Sequence, residues 1–84
     1  MIHRAAPDFW DCYGALPSPV QALADKAFSL LKTDHRHPSV CFKKVGKFWS
    51  ARVGIHYRVV GVDLTDGVLW FWIGSHADYD KLVG

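Results

Sequence analysis

Two arginines and one histidine interrupt stretches of this chain that otherwise read as buried strand. Phe48-Trp49-Ser50-Ala51-Arg52-Val53 and His56-Tyr57-Arg58-Val59-Val60 each set an arginine inside a strand pattern. Val68-Leu69-Trp70-Phe71-Trp72-Ile73 then runs into Gly74-Ser75-His76-Ala77-Asp78-Tyr79. Desolvating a charge is costly unless it is paired, so a core does not select such residues, whereas a cleft that holds a phosphate does. Guanidinium groups grip phosphate oxygens bidentately and stay charged at any relevant pH. Histidine exchanges a proton near neutrality. The combination suits metal-free RNA cleavage, in which the 2′-hydroxyl attacks the adjacent phosphorus. That reaction needs a base for the attacking oxygen, an acid for the leaving 5′-oxygen and positive charge for the dianionic transition state. No glutamate occurs, and no tight His/Asp spacing on one element suggests a metal cluster. The structural alternative for each arginine is an ion pair with an aspartate such as Asp78 or Asp80.

Around this group the reading stays open at several points. Tyr79 follows His76 by three residues, and one helical turn would place both on one side. His35 and His37 flank Arg36 in a turn, and His56 lies in or beside another. Trp70 and Trp72 alternate with Phe71 and Ile73, so one pair must leave the helix-facing side. Exposed tryptophans there could stack on bases or form the dry centre of a protein interface.

The elements that must position these residues follow from periodicity. Pro7 to Tyr13 can form a short helix with Phe9, Trp10 and Tyr13 on one face, broken at Gly14-Ala15-Leu16-Pro17. Ser18-Pro19-Val20-Gln21 reads as a helix start, with Ser18 as cap and Pro19 at the first helical position. Val20, Leu23, Ala24, Ala27, Leu30 and Leu31 continue at helical spacing, and the helix should end near Thr33. Val40–Val45, Trp49–Val53, His56–Val62 and Val68–Ile73 read as strands joined by short turns around Gly46, Gly54 and Gly67. Short links imply antiparallel neighbours. The expected fold is therefore α+β, an N-terminal helical hairpin packed on a twisted, four-stranded antiparallel sheet. Met1–Ala6 offers barely enough residues for a further strand. A three-residue loop Gly54-Ile55-His56 would pair Val53 with Tyr57 and Arg52 with Arg58, leaving both arginines opposite an apolar, helix-covered face. A two-residue loop would separate them.

Eighty-four residues make a single domain, 1–84, small enough that core burial is only just sufficient. Twelve aromatics, four of them tryptophan, favour a dense core. Cys12 and Cys41 show no metal-ligand spacing and read as two reduced thiols of a cytosolic protein, with a disulfide as the alternative. No apolar run approaches the roughly 20 residues of a membrane span. Net charge is +2, but its distribution is uneven. From Lys32 to Val62 there are seven basic residues, Lys32, Arg36, Lys43, Lys44, Lys47, Arg52 and Arg58, and one acid, Asp34. This is either a positive surface for an anionic partner or an ordinary solvated face.

Taken together, the residues resemble the RelE/ParE superfamily of type II toxin–antitoxin toxins. The likeness is carried by Leu16-Pro17 with the helix from Gln21, by His37-Pro38-Ser39-Val40, Trp49-Ser50-Ala51-Arg52-Val53 and Tyr57-Arg58-Val59-Val60, and by the terminal Gly74-Ser75-His76-Ala77-Asp78-Tyr79. It covers about residues 8–83. The resemblance implies a cytoplasmic toxin, a metal-independent endoribonuclease (mRNA interferase) without a cofactor, acting on mRNA, commonly on the ribosome. A cognate antitoxin would neutralise it, and operator DNA would be reached only through that antitoxin. Arg58 matches the family's phosphate-binding arginine and Arg52 a basic position on the preceding strand. His76 falls where a catalytic arginine or histidine stands, and Tyr79 is close to the terminal tyrosine. Two lysines expected on the second-strand cleft face fall at Phe48 and Ser50, and Lys43, Lys44 and Lys47 are the candidates to supply RNA-binding charge instead. The resemblance also admits a ParE-like gyrase inhibitor, or an inactive homologue that only binds its antitoxin.

Overall fold

The structure, a computed structural model, describes residues 1–83. In chain order its elements are β1 (Ile2–Ala5), α1 (Pro7–Gly14), α2 (Ser18–Thr33), β2 (Lys43–Val45), β3 (Phe48–Val53), β4 (Tyr57–Leu64), β5 (Gly67–Ser75) and α3 (His76–Val83). The strands form one sheet in the order β1-β5-β4-β3-β2. Strands β2 to β5 make the expected antiparallel meander.

The sheet is five-stranded and mixed rather than four-stranded and antiparallel, because β1 joins its edge parallel to β5. The contact is close: a Cβ at Gly67 would lie 1.8 Å from the carbonyl oxygen of Ile2, so only glycine admits β1 there. The helical pair therefore follows a strand instead of opening the chain. At β2 the strand is shorter than the run Val40–Val45, since Cys41 turns the backbone into the left-handed region at φ 46°. Val40 stays buried, and its carbonyl accepts the Arg52 N–H at 2.6 Å.

Helix α2 begins one residue earlier than its sequence suggests. The carbonyl of Pro17, not the hydroxyl of Ser18, receives the first amides, those of Val20 and Gln21. Gln21 reaches back instead, its Nε2 donating to the Tyr13 carbonyl at 3.0 Å and tying α2 to α1. Ala24, Ala27 and Leu31 of α2 and Phe9 of α1 pack on Ala51, Val53, Val59, Val68, Trp70 and Ile73 of the sheet. One irregularity at Val60/Gly61 makes Phe71 the extra residue of β5. It lets Trp70 and Ile73, which simple alternation would separate, both serve this core. No helix is long and apolar enough to cross a membrane among the described residues.

Candidate active site

The loop between β3 and β4 has three residues. Gly54 takes φ 61°, a left-handed conformation that suits glycine, and Val53 pairs with Tyr57. Arg52 consequently stands directly opposite Arg58. Residues so paired hold their Cβ atoms about 4.5–5.5 Å apart on one face, and like charges in that relation repel. Alternation puts both arginines on the face turned away from α1 and α2, together with Ser50, Val60 and Trp72.

Neither arginine has a carboxylate partner within 4.0 Å among the described residues. Among the described residues, the ion pairs within 4.0 Å join Arg4 to Asp66, Lys44 to Asp63 and His76 to Asp80. The alternative of a structural pair with Asp78 or Asp80 is thus not formed. Arg58 donates from Nη1 to its neighbour's carbonyl at Tyr57, 2.9 Å away. The Nε of Arg52 is buried and has no acceptor among the described residues.

His76 is brought to the same end of the sheet by β5, where Gly74 pairs with Arg58 and Ser75 with Tyr57. Its N–H donates to the His56 carbonyl at 2.7 Å, so the loop histidine and the helix histidine become backbone neighbours. Helix α3 starts here because the Ser75 hydroxyl accepts the Asp78 N–H at 3.1 Å, the usual bond of a serine N-cap. Nε2 of the exposed His76 lies 3.6 Å from a carboxylate oxygen of Asp80. The His76 ring stacks on Tyr79 at 6.1 Å between centroids and 16° between planes.

Tyr79 itself is buried, and its hydroxyl donates to Ser50 Oγ at 3.1 Å. This contact folds α3 across the second face of the sheet and explains why a serine stands at position 50. The other expected basic position, Phe48, packs on Phe71.

Register also divides the three lysines. Lys43 pairs with Ser50 and so belongs to the arginine face, where it is exposed. Lys44 stands on the opposite face, bonded to Asp63 and 4.9 Å above the Trp49 ring. That lysine and the Trp49 indole N–H hold the Asp63 carboxyl below its ordinary pKa. Lys47 lies over Phe48, 5.5 Å from the ring centroid, at the far end of β3 from Arg52.

Of the paired tryptophans, Trp70 is fully buried under the helices, whereas Trp72 is half-buried on the arginine face. The Trp72 ring lies against Gly74, the cross-strand partner of Arg58. Two features escaped the sequence. One is the adjacency of His56 and His76, which the three-residue loop would have signalled. The other is His3, whose Nδ1 accepts the Trp70 indole N–H at 3.2 Å and which only the parallel β1 places there.

No family model matches the sequence, and no curated protein matches it either. Solved structures do match in three dimensions. The RelB–RelE antitoxin–toxin complex from Methanococcus jannaschii superposes with a TM-score of 0.72 at 12% identity, covering 96% of this chain and 99% of that one. A copper-bound mutant toxin from Helicobacter pylori superposes with a TM-score of 0.59 at 15% identity, covering 90% and 94% of the two chains. At these identities the likeness is one of architecture, and on it this chain has the RelE-like toxin fold.

Proposed function

We propose that the chain is the toxin of a type II toxin–antitoxin system and a metal-independent endoribonuclease. The observation that carries this reading is the Arg52–Arg58 pair. Two arginines stand at directly paired positions of neighbouring strands, without a carboxylate partner within 4.0 Å among the described residues. Folding gains nothing from that repulsion; an incoming phosphate relieves it. In this reading the two arginines bind the scissile phosphate and stabilise the transition state. The RNA 2′-oxygen forms a bond to phosphorus as the bond from phosphorus to the 5′-oxygen breaks. His76 acts as general acid or base for one of the two proton transfers, giving a 2′,3′-cyclic phosphate and a free 5′-hydroxyl.

Tyr79 is buried and its hydroxyl is engaged with Ser50, which supports a positioning role for it behind the His76 ring rather than a role in proton transfer. Lys43 extends the positive charge along the RNA backbone, Lys47 touches the backbone further out, and Lys44 contributes only if it leaves Asp63. Trp72, beside the arginines, offers a flat surface on which a base can stack. The substrate is mRNA, free or on the ribosome, in the cytoplasm. The Methanococcus jannaschii neighbour is a complex with its antitoxin, which supports a cognate antitoxin here as well. Operator DNA would be reached through that protein.

Controlled expression of the chain tests the reading against Arg58→Ala and His76→Ala. Growth arrest with loss of mRNA, cured by either substitution, is the expected result. Arrest with intact RNA and blocked DNA supercoiling would instead identify a gyrase inhibitor. Absence of arrest would identify an antitoxin-binding homologue without toxicity.

A further inference from the structure

Cleavage through the 2′-hydroxyl takes two proton transfers, one from the attacking oxygen and one to the leaving oxygen. His76 supplies one group for them. The carboxylates offer no second. No glutamate occurs. Asp8, Asp11, Asp25 and Asp34 belong to α1, to α2 and to its C-terminal cap, on the other side of the sheet. Asp63 and Asp66 are held by Lys44 and Arg4, and Asp80 stands against His76 itself. Asp78, two residues after His76, does not share its side of α3. Tyr79 is buried, with its hydroxyl given to Ser50.

His56 is the residue that the β3–β4 loop leaves beside His76. The β4–β5 ladder pairs Arg58 with Gly74 and Tyr57 with Ser75, and one further step sets His56 opposite His76. The 2.7 Å bond from the His76 N–H to the His56 carbonyl holds that step. Residues so bonded in an antiparallel pair keep their Cα atoms about 5.5 Å apart. Position 56 also lies two residues before Arg58, on the same side of the strand by alternation. Both histidines are exposed, and His56 borders the same cleft, of about 600 Å³, as Arg52. The charged groups around His56 are Arg52 of β3, Arg58 of β4, His76 at the start of α3 and Lys26 of α2, which also lines the cleft. No carboxylate lies within 4.0 Å of His56 among the described residues, whereas Asp80 stands 3.6 Å from His76 Nε2.

We propose that His56 is the second catalytic histidine, the general base that works with His76 as general acid, a role that rests on the endoribonuclease reading above. The neutral His56 imidazole takes the proton of the 2′-hydroxyl as that oxygen forms its bond to phosphorus. The protonated His76, its charge balanced by Asp80, gives its proton to the 5′-oxygen as the bond from phosphorus to that oxygen breaks. The products are the 2′,3′-cyclic phosphate and the free 5′-hydroxyl, and no other reactant enters.

The pH profile of kcat/KM for the purified chain on single-stranded RNA, free and on programmed ribosomes, tests this role. A bell is expected, its ascending limb set by the base and its descending limb by the acid. His56→Ala should lower kcat/KM by about 100- to 10,000-fold and remove the ascending limb. His56→Gln, which keeps a polar side chain at this exposed position, should do the same with an unchanged melting temperature. An RNA with sulfur in place of the leaving 5′-oxygen needs no acid, because a thiolate leaves unprotonated. That substrate should restore cleavage to His76→Ala and not to His56→Ala. The proposal is overturned, with the nuclease reading intact, if either His56 variant cleaves as well as the native chain, if the ascending limb survives in them, or if the sulfur substrate rescues His56→Ala. Absence of cleavage by the native chain would overturn both.

Discussion

The two faces of the sheet solve opposite problems with the same strands. On the helix-covered face, Ala51, Val53, Val59, Val68 and Trp70 are fully buried, and the charged network Lys44–Asp63–Trp49 at its edge is internally paired. On the other face, Arg52 and Arg58 occupy paired positions without a carboxylate partner within 4.0 Å among the described residues, and α3 packs on that face through Tyr79 and Ser50. The first face accounts for why the chain folds. The second places two like charges at paired positions, an arrangement that folding does not require.

The contrast can be broken most forcefully on the buried side. Trp70→Ala removes the largest buried side chain, together with the indole donor to His3. A loss of about 3–5 kcal/mol is expected, a large part of the roughly 5–15 kcal/mol that holds a domain together. Urea unfolding followed by circular dichroism would measure it, and a loss under 1 kcal/mol, the scale of a surface change, would deny Trp70 its central place. Arg58→Ala should do the reverse. RNA cleavage should fall by about 100- to 1000-fold, while the melting temperature stays level or rises because a like-charge pair has been relieved. Marked destabilisation by Arg58→Ala would mean that the arginine is structural after all.

Tyr79→Phe tests the seam between the two faces. Loss of the hydroxyl leaves Ser50 Oγ without its donor, at about 1 kcal/mol in stability. If Tyr79 only positions His76, kcat should change several-fold, the pH profile of cleavage should keep its shape, and KM should stay the same. Loss of one limb of that profile would make Tyr79 a proton carrier.

The smallest expected effect is a pH dependence of stability from His3, whose pKa is lowered in the folded chain by burial first and by nearby positive charge second. The unfolded state then binds the proton more readily, so this contribution to stability is present above the ordinary histidine value of about 6.5. It is lost as pH falls from there toward the lowered folded value. His3→Gln should flatten that part of the profile, and an unchanged slope would show that another group is responsible.

Much of the site was legible because it is local. Arg52 opposite Arg58 follows from a three-residue loop with Gly54 at positive φ, and the loop follows from the need for one uniformly apolar face. What could not be read depends on partners distant in the chain. Strand β1 has a weak local pattern and becomes a strand only because Gly67 lets Ile2 approach. Ser50 stands where the family resemblance expects a lysine, and its bonding partner, the Tyr79 hydroxyl, lies 29 residues later in the chain. The Lys43–Lys44 pair looked like one patch, but successive residues of a strand point to opposite faces, and Asp63 claims the second.

RNA cleavage at the arginine face is tested most directly by one measurement. The purified chain is incubated with a single-stranded RNA, free and on programmed ribosomes, beside a copy bearing a 2′-deoxy sugar at the cleaved position. Cleavage leaving a 2′,3′-cyclic phosphate end without added metal is expected, abolished by the deoxy substitution and by Arg58→Ala. Cleavage that survives either change, or no cleavage of any RNA in either setting, would contradict it.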